Sequence, residues 1–264
     1  MEKFVELELH GAFKSQNFQQ IQLIHLNHRN KTYKAYSSSL KEWICFRFPL
    51  TYHAKQLIRQ QAILLLKSNH IPNLERIVPE LLPDDLSCLP TYWLEGLPSS
   101  LLMRQKTISI EERMKWIVSL AKTLQSLHDA GIVHGDLQPE NIIISREQPL
   151  LIDFELSFHL NQIPCYTFGG TGPYMSPEVR LGKRCERQSE QYTFAILAYE
   201  WITCNFCFGC PDLFRLPCEM RAPFQQALQI RPSHRFPSVL VFARALLSSW
   251  AECNLCRGDF FQNS

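Results

Sequence analysis

The 264-residue chain sets 27 Lys and Arg against 25 Asp and Glu, a formal net charge of +2, with 45% hydrophobic and 20% charged residues. That balance suits a globular chain with a substantial core and excludes a disordered tail, a collagen-like rod or a highly charged coiled coil. It also gives no electrostatic case for a nucleic-acid partner.

No apolar run approaches the roughly 20 residues that a membrane span needs. The start, Met1-Glu2-Lys3-Phe4-Val5-Glu6, lacks the basic-then-apolar order of a secretory signal. Ten cysteines without such a signal point to reduced thiols in a cytoplasmic setting; delivery into another cell would leave no mark in such a sequence. Along the chain, Ile21–Leu26 and Trp43–Phe48 are short β-favouring runs separated by polar turns. Between the second run and later strands, Leu57, Ile58, Ala62, Leu65 and Leu66 predict a helix over residues 54–67. After residue 105 the helical period dominates. Ser109 and Glu112 form a Ser-x-x-Glu capping box ahead of Met114, Ile117, Val118, Ala121, Leu124 and Leu127. Residues 188–203 are apolar on nearly every side, which predicts a fully buried helix. Strands first and helices later define an α+β chain in two lobes, with a hinge near Glu95-Gly96.

The chemistry concentrates in His134-Gly135-Asp136-Leu137-Gln138-Pro139-Glu140-Asn141, followed by Ile142-Ile143-Ile144 and then Leu151-Ile152-Asp153-Phe154-Glu155. Two acids and an amide on loops beside short strands can divide a phosphoryl transfer. One carboxylate orients an attacking hydroxyl, while the amide and the second carboxylate hold Mg²⁺ against the phosphates. A loop Asp or Asn taken singly more often forms an Asx turn.

Together these segments resemble the eukaryotic-type protein kinase family. The first resembles its catalytic loop His-Arg-Asp-Leu-Lys-Pro-Glu-Asn, and Asp153-Phe154-Glu155 its metal-binding Asp-Phe-Gly. Gly170-Thr171-Gly172-Pro173-Tyr174-Met175-Ser176-Pro177-Glu178 is similar to the substrate-side loop ending in Ala-Pro-Glu. Ser189–Ala195 is similar to the start of the family's long buried helix, and Arg235 matches the late arginine that pairs with the glutamate, here Glu178. The ordered series spans residues 20–248. It implies a single bilobal protein-kinase-like domain over 1–264, with a small β-rich lobe to about residue 95 and a helical lobe from 96.

The amino-terminal region matches in register and departs in chemistry. His25, Asn27 and Asn30 occupy the three positions of the glycine-rich loop, where side chains obstruct the approach of backbone amides to phosphate. Ile44-Cys45-Phe46-Arg47 resembles Val-Ala-Ile-Lys, with Arg47 in place of the phosphate-binding lysine. Gln61 falls where the helix glutamate that pairs with that lysine is expected, so Arg47 can donate to its side-chain carbonyl. In the larger lobe Gly135 replaces the arginine that binds an activation-loop phosphate, and Gln138 replaces a lysine that neutralises the transferring phosphate. Glu155 replaces the metal-loop glycine, and Glu190 the aspartate that braces the catalytic loop.

The resemblance implies a Ser/Thr protein kinase of weak activity that uses ATP and Mg²⁺, with Mn²⁺ as a substitute. Asp136 orients the acceptor hydroxyl, Asn141 and Asp153 hold the metal, and Arg47 clamps the phosphates. Gln61 supports Arg47, Leu94 takes the gatekeeper position, and Glu95 and Leu97 face the adenine. The alternatives are a pseudokinase that acts as a binding or scaffolding module, and a small-molecule phosphotransferase. The substrate or partner protein is not identified by these residues. Separately, Cys204, Cys207, Cys253 and Cys256 have zinc-knuckle spacing, although cysteine at the end of an apolar helix is an ordinary small hydrophobe.

Overall fold

A computed structural model describes residues 17–105, 107–162 and 170–261, with side chains to residue 253. Strand alternation organises its first part. In β3 (Glu42–Pro49), Ile44 and Phe46 are fully buried, so Cys45 and Arg47 fall on the opposite face. β1 (Phe18–Leu26), β2 (Asn30–Ser37), β3 and β4 (Leu89–Tyr92) form an antiparallel sheet in that order. Arg47 pairs with Thr32 on one side and Leu89 on the other. One face packs Phe18, Tyr33, Ala35, Ile44 and Phe46 against Val78, Leu81 and Cys88. The Phe18 and Phe46 rings meet edge to face at 5.0 Å.

Helix α1 (Tyr52–Lys67) starts two residues earlier than its periodicity predicts, because Thr51 caps it: the hydroxyl accepts the Ala54 N–H at 3.1 Å. Its buried stripe runs through Leu57, Ile58, Ala62 and Leu65, and includes one amide, Gln61, with no exposed surface.

The chain divides into two units. The first takes the described part of Met1–His70 with Leu74–Glu95 and Asp153–Glu155; the second takes Ile71–Asn73, Gly96–Ile152 and the described part of Leu156–Ser264. In the second, β5 (Leu97–Pro98) pairs with β7 (Ile142–Ser145), which pairs with β8 (Gln148–Leu151); β6 (Ile132–Val133) pairs with β9 (Phe158–His159). The helices are α2 (Ser99–Gln105), α3 (Ile110–Asp129), α4 (Pro177–Arg180), α5 (Arg187–Thr203), α6 (Cys218–Ala227) and α7 (Val239–Phe261). Ser109 and Glu112 form the capping box that starts α3. Helix α5 buries Phe194, Ile196, Leu197, Tyr199 and Trp201 completely, and Trp201 meets Trp116 of α3 edge to face at 5.9 Å. The Arg113 guanidinium donates to the Trp201 and Ile202 carbonyls at 2.8 and 2.9 Å, satisfying acceptors that a helix end leaves open. Between α5 and α6 the chain forms only the 3-10 turn Leu213–Arg215.

Arg235 ties α4 to the segments beside α5 and α6. It is 4% exposed, and all five of its N–H groups have acceptors. Two go to the Glu178 carboxylate at 2.7 and 2.8 Å; the others reach the carbonyls of Gln188, Gln229 and Ile230. Burial raises the Glu178 pKa, but the Arg235 hydrogen bonds outweigh it and hold the pKa at about 2, below the ordinary 4.5. A depressed carboxylate pKa contributes stability above 4.5 that is lost as pH falls toward 2. Arg235→Ala is therefore expected to remove about 3–5 kcal/mol of unfolding free energy at neutral pH. The deficit should shrink at pH 3, where the orphaned carboxylate protonates. Urea unfolding at the two pH values checks this, and an equal loss at both would assign the effect to packing alone.

Candidate phosphoryl-transfer site

In the second unit the loop after β6 is held from below by one buried carboxylate. Glu190 of α5, 1% exposed, accepts the backbone N–H groups of His134 and Gly135 at 2.8 and 3.0 Å and the His128 Nε2–H at 2.6 Å. Burial raises the Glu190 pKa, but the His128 hydrogen bond and charge reverse the effect and leave it lowered. The extra methylene relative to the expected aspartate is accommodated, and both loop amides are bound. Gly135 has φ +84°, and a Cβ there would collide with the Leu156 carbonyl oxygen. The arginine expected at this position therefore does not fit this backbone.

The 3-10 turn Pro139–Asn141 folds Asn141 back onto Asp136. The Asn141 amide donates to the Asp136 carbonyl at 2.8 Å and to its Oδ2 at 3.1 Å. Gln138 Nε2 donates to the same Oδ2 at 2.8 Å, and the Thr171 hydroxyl donates to Oδ1 at 2.9 Å. Both oxygens of Asp136 are thus oriented by neutral donors.

In the first unit, Arg47 donates to Gln61 Oε1 at 3.0 Å and to Asp153 Oδ1 at 3.3 Å, and lies 3.7 Å from Glu75 Oε1. Burial works against its charge, yet the carboxylates of Asp153 and Glu75 more than offset this and raise its pKa. Asp153 itself has φ +63°. Glu155 pairs with Arg29 at 2.7 Å. Its pKa is raised by burial and by the Asp153 charge, which Arg29 and Arg47 only partly counter. In the turn between β1 and β2, Asn27 Oδ1 accepts the Arg29 and Asn30 N–H groups at 2.8 and 2.7 Å. The backbone donors of this turn are engaged by the asparagine side chain, where a glycine would have left them open.

Of the expected site residues, Arg47, Gln61 and Asp153 meet in the first unit, and Asp136 and Asn141 meet in the second. Leu94 is half-buried between β4 and β5, Glu95 is exposed and 3.5 Å from Lys34, and Leu97 is exposed in β5. The Lys34 ammonium lies over the Trp43 and Trp93 rings at 4.5 and 4.2 Å. Sequence reasoning missed Glu75 and Arg29. The signal for Glu75 is an acid beside apolar positions in Leu74-Glu75-Arg76-Ile77-Val78; Arg29 has none, because its partner is far away in the chain.

The zinc alternative for the cysteines finds no support, whereas the reading of them as small apolar residues agrees with the structure. Among the described residues no three His, Cys, Asp or Glu side chains have metal-holding geometry. Cys204 accepts from Arg113, Cys253 donates to Glu219, and burial pushes the Cys207 thiol up to about 12. Cys204, Cys207 and Cys253 are free thiols; the Cys256 side chain lies outside the described residues.

Comparison with known proteins places the chain in a family. The protein kinase domain family model matches residues 51–236, more than half of the sequence, and the chain belongs to that family. It is 30% identical over 165 residues to the serine/threonine-protein kinase pkn2 of Myxococcus xanthus, covering 58% of this chain and 20% of that protein. To the probable serine/threonine-protein kinase fnkB of Dictyostelium discoideum it is 34% identical over 107 residues, 38% of this chain and 20% of that protein. The match spans about a fifth of the length of these relatives. A crystal structure of the Mycobacterium tuberculosis PknI kinase domain superposes with a TM-score of 0.60 at 16% identity, covering 88% of this chain and 96% of that one. The fold is the α+β protein kinase fold.

The Arg29–Glu155 pair yields a direct check on the β1–β2 turn. Its side chains are 42% and 14% exposed, so the pair is worth about 1 kcal/mol or less. Glu155→Gly is expected to speed amide exchange at residues 29 and 30 by up to about fivefold. Unchanged exchange would mean that Asn27 alone holds the turn.

Proposed function

We propose that this chain transfers the γ-phosphate of ATP to a protein hydroxyl, most readily Ser or Thr, as a protein kinase of low turnover. One observation carries the reading: Asp136 is oriented through both oxygens by Asn141, Gln138 and a hydroxyl, that of Thr171. A carboxylate oxygen that accepts one hydroxyl at 2.9 Å has the geometry to accept that of a substrate. Asp136 then orients the acceptor and takes its proton. Arg47 holds phosphate oxygens, and Asp153 keeps Arg47 in place. The carboxylate of Asp153 and the amide oxygen of Asn141 are hard donors of the kind that Mg²⁺ or Mn²⁺ takes. Such an ion supplies neutralisation of charge on the phosphates.

Neutral Gln138 favours a second reading, a nucleotide-binding module without turnover, because among the described residues the side-chain donors to Asp136 are neutral. Nucleotide binding measured apart from transfer separates the two.

Catalysis of this kind is mainly positioning plus charge neutralisation. Asp136→Ala is expected to lower Mg-dependent transfer by about a hundredfold or more, with nucleotide affinity little changed. A γ-phosphate transfer assay on the purified chain, toward itself and a protein panel, checks this. Equal transfer by wild type and Asp136→Ala would defeat the enzyme reading.

Activity is further expected not to depend on phosphorylation between Asp153 and Glu178, because Gly135 offers no guanidinium to a phosphate and cannot be exchanged for arginine without a clash. Phosphatase-treated and untreated protein should transfer at the same rate, and a large loss on treatment would contradict it.

A further inference from the structure

Glu75 lies between α1 and β4, is 7% exposed, and belongs to no motif. Each of its oxygens serves two groups of the first unit. Oε1 accepts the Thr91 hydroxyl at 3.1 Å and lies 3.7 Å from Arg47. Oε2 accepts the Gln61 amide at 3.3 Å and the Asp153 backbone N–H at 3.2 Å. A buried carboxylate needs such partners, and here they are a cation, a helix side chain, a strand side chain and the backbone of the segment that carries Asp153.

From this geometry we infer that Glu75 is the positioning carboxylate of Arg47, moved from the helix to the segment that follows it; the inference rests on the phosphoryl-transfer reading of Arg47 and Asp153. Gln61 is then explained. A glutamate there would set two carboxylates side by side, whereas the amide donates to Glu75 and accepts from Arg47, bridging the two. Glu75 cannot be an amide for the converse reason. Both of its oxygens accept, and glutamine would turn one acceptor into a donor facing a donor. Arg47 thus owes its ion pairs to Glu75 and Asp153 and only a neutral hydrogen bond to α1.

The test uses the full chain as Glu75→Gln, Gln61→Glu, the double variant Gln61→Glu/Glu75→Gln, and each of these combined with Arg47→Met. Melting temperature and Mg-ATP affinity are the readouts. Glu75→Gln should lower the melting temperature by about 4 °C or more and weaken Mg-ATP binding at least about tenfold. Gln61→Glu, although it restores the residue the family resemblance expects, should also weaken binding. The double variant should recover most of both losses, because the carboxylate again stands beside Arg47. In the Arg47→Met background the Glu75→Gln shift should differ from that in wild type by about 2 °C or more. Additive shifts, or tighter binding by Gln61→Glu with a neutral Glu75→Gln, would overturn the assignment. If wild type binds no Mg-ATP, the kinase reading fails by itself, and the melting-temperature cycle still decides whether Glu75 fixes Arg47.

Discussion

A guanidinium held at 16% exposure on β3 is the constraint around which the first unit is arranged. Strand alternation leaves Arg47 no choice of face, since Ile44 and Phe46 fill the other one. Burial alone would disfavour its charge, so carboxylates must come to it. They come from two distant places in the sequence: Glu75, in the segment between α1 and β4, and Asp153, after β8. This accounts for the division of the chain. Residues 153–155 follow the strands of the second unit in sequence, yet they cluster with the first. Both the Asp153 side chain and its backbone N–H are bound there, by Arg47 and Glu75.

The second unit solves a similar problem with the charge reversed. Glu190 is a buried carboxylate near the start of α5, and besides His128 its partners are the backbone of the loop that carries Asp136. A bond to backbone fixes main-chain geometry whatever the side chains do. The main chain at His134 and Gly135 is therefore held independently of the side chains that follow. Gly135 is the counterpart of this fixation, because at φ +84° beside the Leu156 carbonyl only glycine is unstrained.

Local pattern made much of this legible. The α3 capping box and the buried helix α5 follow from short-range spacing, and the resemblance of Ile44–Arg47 to the family's strand motif set Arg47 against Gln61. Contacts across the chain were not legible in the same way. Glu75 lacks any fixed spacing to Arg47, and its burial depends on how the segment after α1 crosses toward β4. Arg29 meets Glu155 only because Asp153–Glu155 returns to the first unit. The glycine-loop positions illustrate a third case. The asparagines there were visible as departures, but that Asn27 would engage two backbone amides is a matter of turn geometry, which residue type alone does not specify.

The departures form a pattern in charge. Two of the departures remove a formal charge and leave a neutral hydrogen-bonding group: Gln61 for a glutamate and Gln138 for a lysine. At the first, the charge reappears on Glu75 within the same network, so the electrostatics of Arg47 are conserved while the element that supplies them changes. At the second, the three donors to Asp136 are an amide, another amide and a hydroxyl, and none carries a charge. Neutral donors orient a carboxylate nearly as well as a cation does, because orientation depends on geometry. They do not neutralise a phosphate, because that depends on charge. In the first unit Arg47 keeps its ion pairs although the β1–β2 turn has its backbone donors engaged by Asn27, whereas in the second unit the positioning of Asp136 is kept without a charged donor. On the proposed function, orientation without charge neutralisation at Asp136 is the physical reason that turnover would be low.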